Sequence, residues 1–278
     1  MRTIDSSQIT QAVRNLSILA NTHADEIIKS AIIKAALDEK DELPKSVLEM
    51  LSENMEIAEK EHMPMCQDTG MVVVFVEIGQ DVHVKGCINE AINEGVRQGY
   101  RDGYLRASIV NDPKERLNTK DNTPAVIHFN IVAGDSLKLT VMPKGFGSEN
   151  KSALKMLVPA DGMDGVRDFV LETVRKASGD PCPPIVVGVG IGGTMEKAAL
   201  LSKEALVHMF QETENTYWSG LEAELLFKIN GLGIGAGGFG GKHTCLGVKI
   251  LAYPTHIAGL PVAVNIGCHV SRKKSAIL

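Results

Sequence analysis

Residues 63 to 70 read MPMCQDTG, which sets a thiol, an amide, a carboxylate and a hydroxyl at four consecutive positions, Cys66 to Thr69. Neither a core strand nor an amphipathic helix has a use for that order. A thiolate binds metal or acts as a nucleophile, and a carboxylate two residues away can move a proton. Two more cysteines lie in stiffened settings. Cys182 is flanked by Pro181, Pro183 and Pro184, and Cys268 ends the strand-like PVAVNIG before a polar turn with His269. Rigid, separated thiols of this kind suit a metal cluster assembled on folding. The other two, Cys87 at the start of a helical stretch and Cys245 within a strand-like one, read as small buried hydrophobes. An odd total of five argues against a disulfide framework. No CxxC or HxxxH pair occurs, so the spacing is wrong for zinc.

The elements that must position these groups follow from the patterning. Residues 6 to 61 read as helical, with Ser6 or Ser7 capping a first helix that carries Ile9, Val13 and Leu16 on one face. A second helix stacks Ile28, Ile32 and Ala35, and a third has Pro44 in its first turn and Leu48, Leu51 and Met55 along its stripe. That third helix leads to MPMCQDTG, which runs directly into MVVVFVEI, a valine-rich buried strand. Cys66, Gln67 and Asp68 thus sit on a connection held by rigid elements, where site residues concentrate.

Further on, AINEGVRQGY is helical, and AVIHFNIV and LKLTVM read as a β-hairpin across AGD. PKGFGSEN is a glycine-rich turn entering a helix near Ser148, and DGVRDFVLETVRKA is an amphipathic helix. PCPPIVVGVGIGGT reads as a strand leading through a glycine turn into the helix MEKAALLSKEAL. A helix near residues 219 to 230 follows, and CLGVKILAYP and LPVAVNIG finish as strands. The fold class is α/β, mixed sheets with packed helices. It is organised as one domain, a helical N-terminal segment over about 1–62 and an α/β body over about 63–278, with no internal repeat.

At 278 residues, 44% apolar and 23% charged, the chain has the composition of a soluble globular protein. A net charge of −5 and the absence of a basic cluster interleaved with aromatics argue against nucleic acid. The SRKKS near the C-terminus reads as a solvated basic tail. No signal-like apolar segment and no run of eighteen apolar residues is present, so no membrane is implied and a cytoplasmic location is expected.

Two glycine-rich stretches resemble nucleotide loops. Gly188, Gly190 and Gly193 satisfy GxGxxG between a strand and a helix, but no second strand ending in an acidic residue follows about twenty residues on. GGFGGKHT has His243 where a Walker loop needs a hydroxyl. What remains open is tight packing of backbone, or close approach of N–H groups to an anion.

The stretches PMCQDTG, CPPIVVGVGIGGT, KGFGSEN, GFGGKHT and HIAGLPVAVNIGC, in that order, resemble the iron–sulfur hydro-lyase family of class I fumarases and L-tartrate dehydratases. The match is to the α subunit of the two-subunit form, or the N-terminal portion of the single-chain form, and covers nearly the whole chain. It implies a 4Fe-4S cluster held by Cys66, Cys182 and Cys268, leaving one iron without a cysteine ligand. Such an iron acts as a Lewis acid, and the implied reaction is reversible addition of water to a small dicarboxylate, fumarate to L-malate. By motif position Asp68 handles the proton together with a threonine from another part of the enzyme. Gln67 contacts substrate through its amide, Arg106 grips a carboxylate, Gly147 offers backbone, and His256 faces the bound acid. Phe146 stands where the family has a glycine.

Taken singly, Arg106 also reads as a surface ion pair, His256 as a core or turn histidine, and Asp68 as an Asx-turn residue. Ten residues follow Cys268, whereas single-chain relatives continue into a second domain. The resemblance therefore implies a separate β subunit, an active site shared with it, and a heterotetramer of two α and two β subunits. L-tartrate dehydratase and mesaconate hydratase are alternatives within the family. A redox iron–sulfur protein, or a nicotinamide-binding protein using Gly188 to Gly193, are alternatives outside it.

Overall fold

Two four-stranded sheets carry the chain, each built around a strand paired on both edges. The computed structural model describes residues 1–278, which divide into two units. Unit 1 is Met1–Asp25, Met55–Phe146 and Arg272–Leu278; unit 2 is Glu26–Asn54 and Gly147–Ser271. In chain order the elements begin with β1 (Arg2–Asp5), α1 (Ser6–Thr22), α2 (Glu26–Asp38), α3 (Glu42–Glu61), β2 (Met71–Gly79), β3 (Val82–Lys85) and α4 (Ile88–Asp102). They continue with β4 (Val126–Val132), β5 (Leu137–Lys144), the single turn α5 (Phe146–Glu149), β6 (Ala153–Leu157) and α6 (Gly162–Ala177). The last are β7 (Ile185–Gly192), α7 (Met195–Val207), α8 (Thr216–Asn230), β8 (Cys245–Tyr253), β9 (Leu260–Gly267) and β10 (Lys274–Ile277). The fold is mixed α/β, and no helix is long and apolar enough to cross a membrane.

The cap of α1 is Asp5, not Ser6 or Ser7, which are already helical. The Asp5 carboxylate accepts from the Ser7 amide, and the Asp5 amide donates to the Gln8 side chain, closing a capping box. The Ile9, Val13 and Leu16 stripe of α1 packs with Ile92 and Val96 of α4 beneath Val72, Val74 and Val76 of β2.

In unit 1 the strand order is β10-β5-β2-β4. β4 runs parallel to β2, with Val126 opposite Val73, and β5 runs antiparallel, with Val141 opposite Val74. The expected β4–β5 hairpin is therefore absent, because β2 lies between the two. The valine run of β2 takes the centre, where both of its edges are paired, and the connection after β4 must pass over its end. There the Gly79 amide donates to Ser136 O at 2.8 Å, and a Cβ on Gly79 would lie 2.2 Å from Gly134 O.

Unit 2 repeats this plan with the order β6-β9-β7-β8. β8 is parallel to β7, β9 is antiparallel to it, and β6 is antiparallel to β9. The β8–β9 connection crosses the end of β7, where the Gly193 amide meets Pro254 O at 3.2 Å. The same order and directions of four strands thus occur twice, with the outer strand last in the chain in unit 1 and first in unit 2, and the sequence displays no repeat. The shared requirements are an apolar central strand and a glycine at its exit, and these need no sequence identity. On one face of β7, α6 and α8 bury Val170, Val174, Leu225 and Ile229 against Val187 and Val189. Each such fully buried side chain contributes roughly 1.5–3 kcal/mol.

Candidate functional site

In unit 1 the MPMCQDTG loop hangs between α3 and the start of β2. Thr69 and Gly70 are buried, Cys66 and Asp68 half-buried, and Gln67 exposed. The Cys66 thiol donates to Gln67 Oε1 at 3.3 Å. Asp68 does form the Asx turn, since Oδ1 accepts from the Gly70 amide at 3.0 Å, but Oδ2 also accepts from the Phe146 amide at 2.9 Å. With one amide on each oxygen, the carboxylate is oriented and still has lone pairs for a proton.

The loop backbone is held from below. Tyr100 of α4, 2% exposed, donates its hydroxyl to Thr69 O at 2.6 Å and lies 2.9 Å from Gly70 O. Burial pushes the Tyr100 phenol pKa well above its ordinary value, which keeps it a donor. Asn122 Nδ2 donates to Gly70 O at 3.1 Å, while its Oδ1 accepts from the Ser108 amide. Thr69 Oγ1 donates to Arg106 O at 2.9 Å. The main chain of Arg106 is thereby tied to the residue after Asp68, with its side chain exposed and without the surface ion pair of its plainer reading.

Arg272 completes this support and corrects the reading of SRKKS as a solvated tail. It is 5% exposed, and its Nη1 donates to Asn21 Oδ1 at 2.9 Å and to Asp68 O at 2.7 Å. Lys273 has its pKa lowered by burial, and Lys274 opens β10. Sequence reasoning missed Arg272, Asn21 and Tyr100. The available signal was polar Ser17 and Asn21 continuing the apolar stripe of α1, and Tyr100 continuing that of α4 from Ile92 and Val96.

In unit 2, Cys182 sits in the turn before β7 and is exposed. Its φ of +55° places a non-glycine residue in the left-handed region, at a cost of about 1–2 kcal/mol. Cys268 follows β9, whose last residue, Gly267, pairs with Val186 near the start of β7. The two cysteines therefore lie on adjoining segments, and His269 Nδ1 donates to Cys182 O at 2.9 Å. The glycine-dense stretch packs under the same turn: the Gly237 amide donates to Pro183 O at 2.8 Å. Gly147 lies beside it too, and a Cβ there would meet only Asp180 O, at 4.0 Å. His256 is elsewhere. It sits on the exposed β8–β9 connection, beyond the opposite end of β7, and eight residues of strand, about 25 Å, separate it from Cys182 and Cys268. Its Nδ1 accepts from the Ala258 amide, so the neutral ring carries its proton on Nε2.

Residues 10–277 match the model of a family described as "Fumarate hydratase (Fumerase)". The chain belongs to that family. A protein of Methanocaldococcus jannaschii named "Putative L(+)-tartrate dehydratase subunit alpha" is 42% identical over 274 residues, 96% of this chain and 96% of the relative. L(+)-tartrate dehydratase subunit alpha of Escherichia coli O157:H7 is 28% identical over 276 residues, 98% of this chain and 91% of the relative. The descriptions are those of hydro-lyases, enzymes that add or remove water.

For a member of the fumarate hydratase family, the thiols can be tested as donors to a cluster. Cys182 is exposed and Cys66 and Cys268 are half-buried, each on a connection rather than inside an element. Cys245 is sealed in β8, where burial pushes its thiol up to about 12, and it donates to Gly247 O. It stays a thiol. Cys87 corrects its reading as a buried hydrophobe: it is exposed at the N-cap of α4. Taken one by one, Cys66, Cys182 and Cys268 each have the chemistry and the accessibility of a thiolate donor to an iron–sulfur group.

The nucleotide-like glycines are accounted for by packing. Gly188 and Gly190 lie inside β7, not after it, and a Cβ on either would lie within 2.2 Å of a backbone oxygen of α7. They let α7 lie flat on the strand and form no turn around a pyrophosphate. Lys242, of the Walker-like stretch, gives its amide to Glu39 Oε2 at 2.7 Å and its Nζ to Asp38 O. Glu39, 5% exposed, also accepts from the Lys40 and Asp41 amides.

Proposed function

We propose that residues 1–278 act as one α-subunit domain of an iron–sulfur hydro-lyase that reversibly hydrates fumarate to L-malate. The observation that carries this reading is the unit 1 loop. It presents Cys66, Gln67 and Asp68 side by side, with both Asp68 oxygens oriented by backbone amides and Arg106 tied to the loop through Thr69.

Cys66, Cys182 and Cys268 would hold the cluster, a 4Fe-4S group. When bound, it supplies an iron without a protein thiolate, a Lewis acid for the hydroxyl of the substrate. Arg106 offers its planar fork to one substrate carboxylate. The Gln67 amide and the Gly147 main chain fix the rest of the acid. Asp68 takes the proton from the carbon next to the carboxylate and returns it in the reverse direction. Separation from the thiols of its own unit means that His256 reaches substrate only through a second α chain in the assembly. Relatives named as alpha subunits support a β subunit as partner, the remaining contacts being its share.

L(+)-tartrate is the second reading, favoured by the names of the relatives, the M. jannaschii protein at 42% identity among them. The experiment is anaerobic co-purification with the partner chain followed by turnover assays on fumarate, L-malate and L(+)-tartrate. Water addition to fumarate by the pair, and little by this chain alone, is the expected result. Turnover of tartrate only would move the assignment to the second reading. NADH binding without iron would overturn both.

A further inference from the structure

Arg272 is a cation 5% exposed, and burial of a guanidinium is unfavourable unless its N–H groups find acceptors. Two hydrogens of a single nitrogen, Nη1, are placed on Asn21 Oδ1 and Asp68 O. Asn21 is itself fixed, donating through Nδ2 to Ser17 O at 2.9 Å and accepting from the Met65 amide at 2.9 Å. Asn21 thus grips the loop twice, at Met65 through its own carbonyl and at Asp68 through Arg272. The other nitrogen, Nη2, faces Gly145. A Cβ on Gly145 would lie 3.3 Å from Nη2 and 3.2 Å from Asp68 Oδ2, so guanidinium and carboxylate approach the same point.

The three successive carbonyls of Asp68, Thr69 and Gly70 therefore have separate holders: Arg272 for the first, Tyr100 for the second, and Tyr100 with Asn122 for the third. Only the first belongs to the residue whose carboxylate faces the reaction. Rotation of the Asp68 peptide would turn Cα and swing the carboxylate off the Phe146 amide. Lysine, with three donors on one nitrogen, could make both bonds but would lack the fixed planar direction of the guanidinium, so it would hold the peptide less firmly.

We propose that Arg272 is a positioning residue for Asp68. It fixes the peptide from which the carboxylate projects, so the chemical step depends on it while substrate binding does not. This rests on the reading of Asp68 as the proton-handling group.

The test uses the cluster-loaded complex with its partner chain, prepared without oxygen, and measures kcat, KM and iron content for the substrate that the wild-type complex turns over. Arg272→Gln is expected to lower kcat about 10- to 100-fold with KM and iron unchanged, as for a misplaced reacting group. Arg272→Lys should recover part of that loss. The Asp68→Asn/Arg272→Gln double variant should be no slower than Asp68→Asn alone, since Arg272 acts only through Asp68. An inactive Asp68→Asn beside an undiminished Arg272→Gln overturns the proposal, as do losses that multiply in the double variant. An active Asp68→Asn removes the reading of Asp68, and the role of Arg272 with it. If the Arg272 variants do not fold, Asn21→Ala decides: a smaller drop in kcat at constant KM supports the proposal, and an unchanged kcat refutes it.

Discussion

The Gly237 amide donates to the carbonyl of Pro183 at 2.8 Å, so main chain from the glycine-dense stretch carries the proline turn that presents Cys182. The adjoining Gly238 has φ +81°, and a Cβ on it would lie 3.1 Å from Gly179 Cα. Gly238→Ala combines left-handed strain with overpacking, about 2–5 kcal/mol together. Iron per protein after anaerobic reconstitution, and the melting temperature, should both fall. Full iron loading in the alanine variant would mean that the turn is held from elsewhere.

The cysteines divide by environment. Cys182→Ser is expected to lose most of the bound iron, while Cys87→Ser, at an exposed helix cap, should retain it all. Cys245→Ser places a hydroxyl in a buried position and should cost stability without changing the iron-to-protein ratio of the folded fraction. Iron and sulfide analysis of the three variants checks the division.

Nothing in unit 2 explains glycine at position 147 by crowding, because the nearest atom to an added Cβ is Asp180 O at 4.0 Å. Gly147→Ala should leave thermal stability within about 0.5 kcal/mol of wild type. If the backbone there meets substrate, KM rises several-fold in steady-state assays of the complex. An unchanged KM would release Gly147 from the site.

Glu39 carries a pH prediction. Burial pushes its carboxyl up, but the amides of Lys242, Asp41 and Lys40 outweigh burial and hold the pKa below the ordinary 4.5. A depressed folded-state pKa gives stability that is present above the unfolded value and lost as pH falls through the folded one. Glu39→Gln should therefore destabilise by about 1–2 kcal/mol at pH 7, with the gap to wild type closing as pH falls below 4.5. Denaturant melts at neutral pH and in acid measure the two gaps, and an equal gap at both would refute the linkage.

His256 and the thiols of its own unit stand at opposite ends of β7. If His256 serves a site on a second α chain, His256→Ala and Asp68→Asn complexes are each inactive, and mixed assemblies regain part of the activity. Co-expression of the two variants, followed by turnover assays, reads this directly. Absence of recovery in verified mixed assemblies would remove His256 from the substrate set.

Much of the fold was legible because periodicity reports burial. The Ile9, Val13 and Leu16 stripe, the valine run of β2 and the apolar β7 all stand as the pattern suggests. Strand pairing was less so: β4 and β5 are close in sequence, yet β2 separates them, and nothing local to either strand encodes which edge is already taken. At the site, residues sharing one short stretch were readable, while Arg272 and Asn21, about 250 positions apart, meet only on folding. Arg272 looked solvated because its neighbours in the sequence are basic; its burial depends on an asparagine acceptor at the end of α1 and a peptide carbonyl before β2.

Open α/β sheets as a rule take ligands beyond the carboxyl ends of their parallel strands. Here Cys66 and Asp68 precede β2 and Cys182 precedes β7, at amino ends, while Gly145 and Cys268 follow β5 and β9. Since β5 and β9 run antiparallel to their neighbours, their carboxyl ends fall beside the amino ends of β2 and β7. Within each sheet, strand polarity rather than centrality decides which edge carries the candidate residues. A fluorophore or fusion meant to spare the chemistry belongs on the other rim, at the 133–136 crossing over β2.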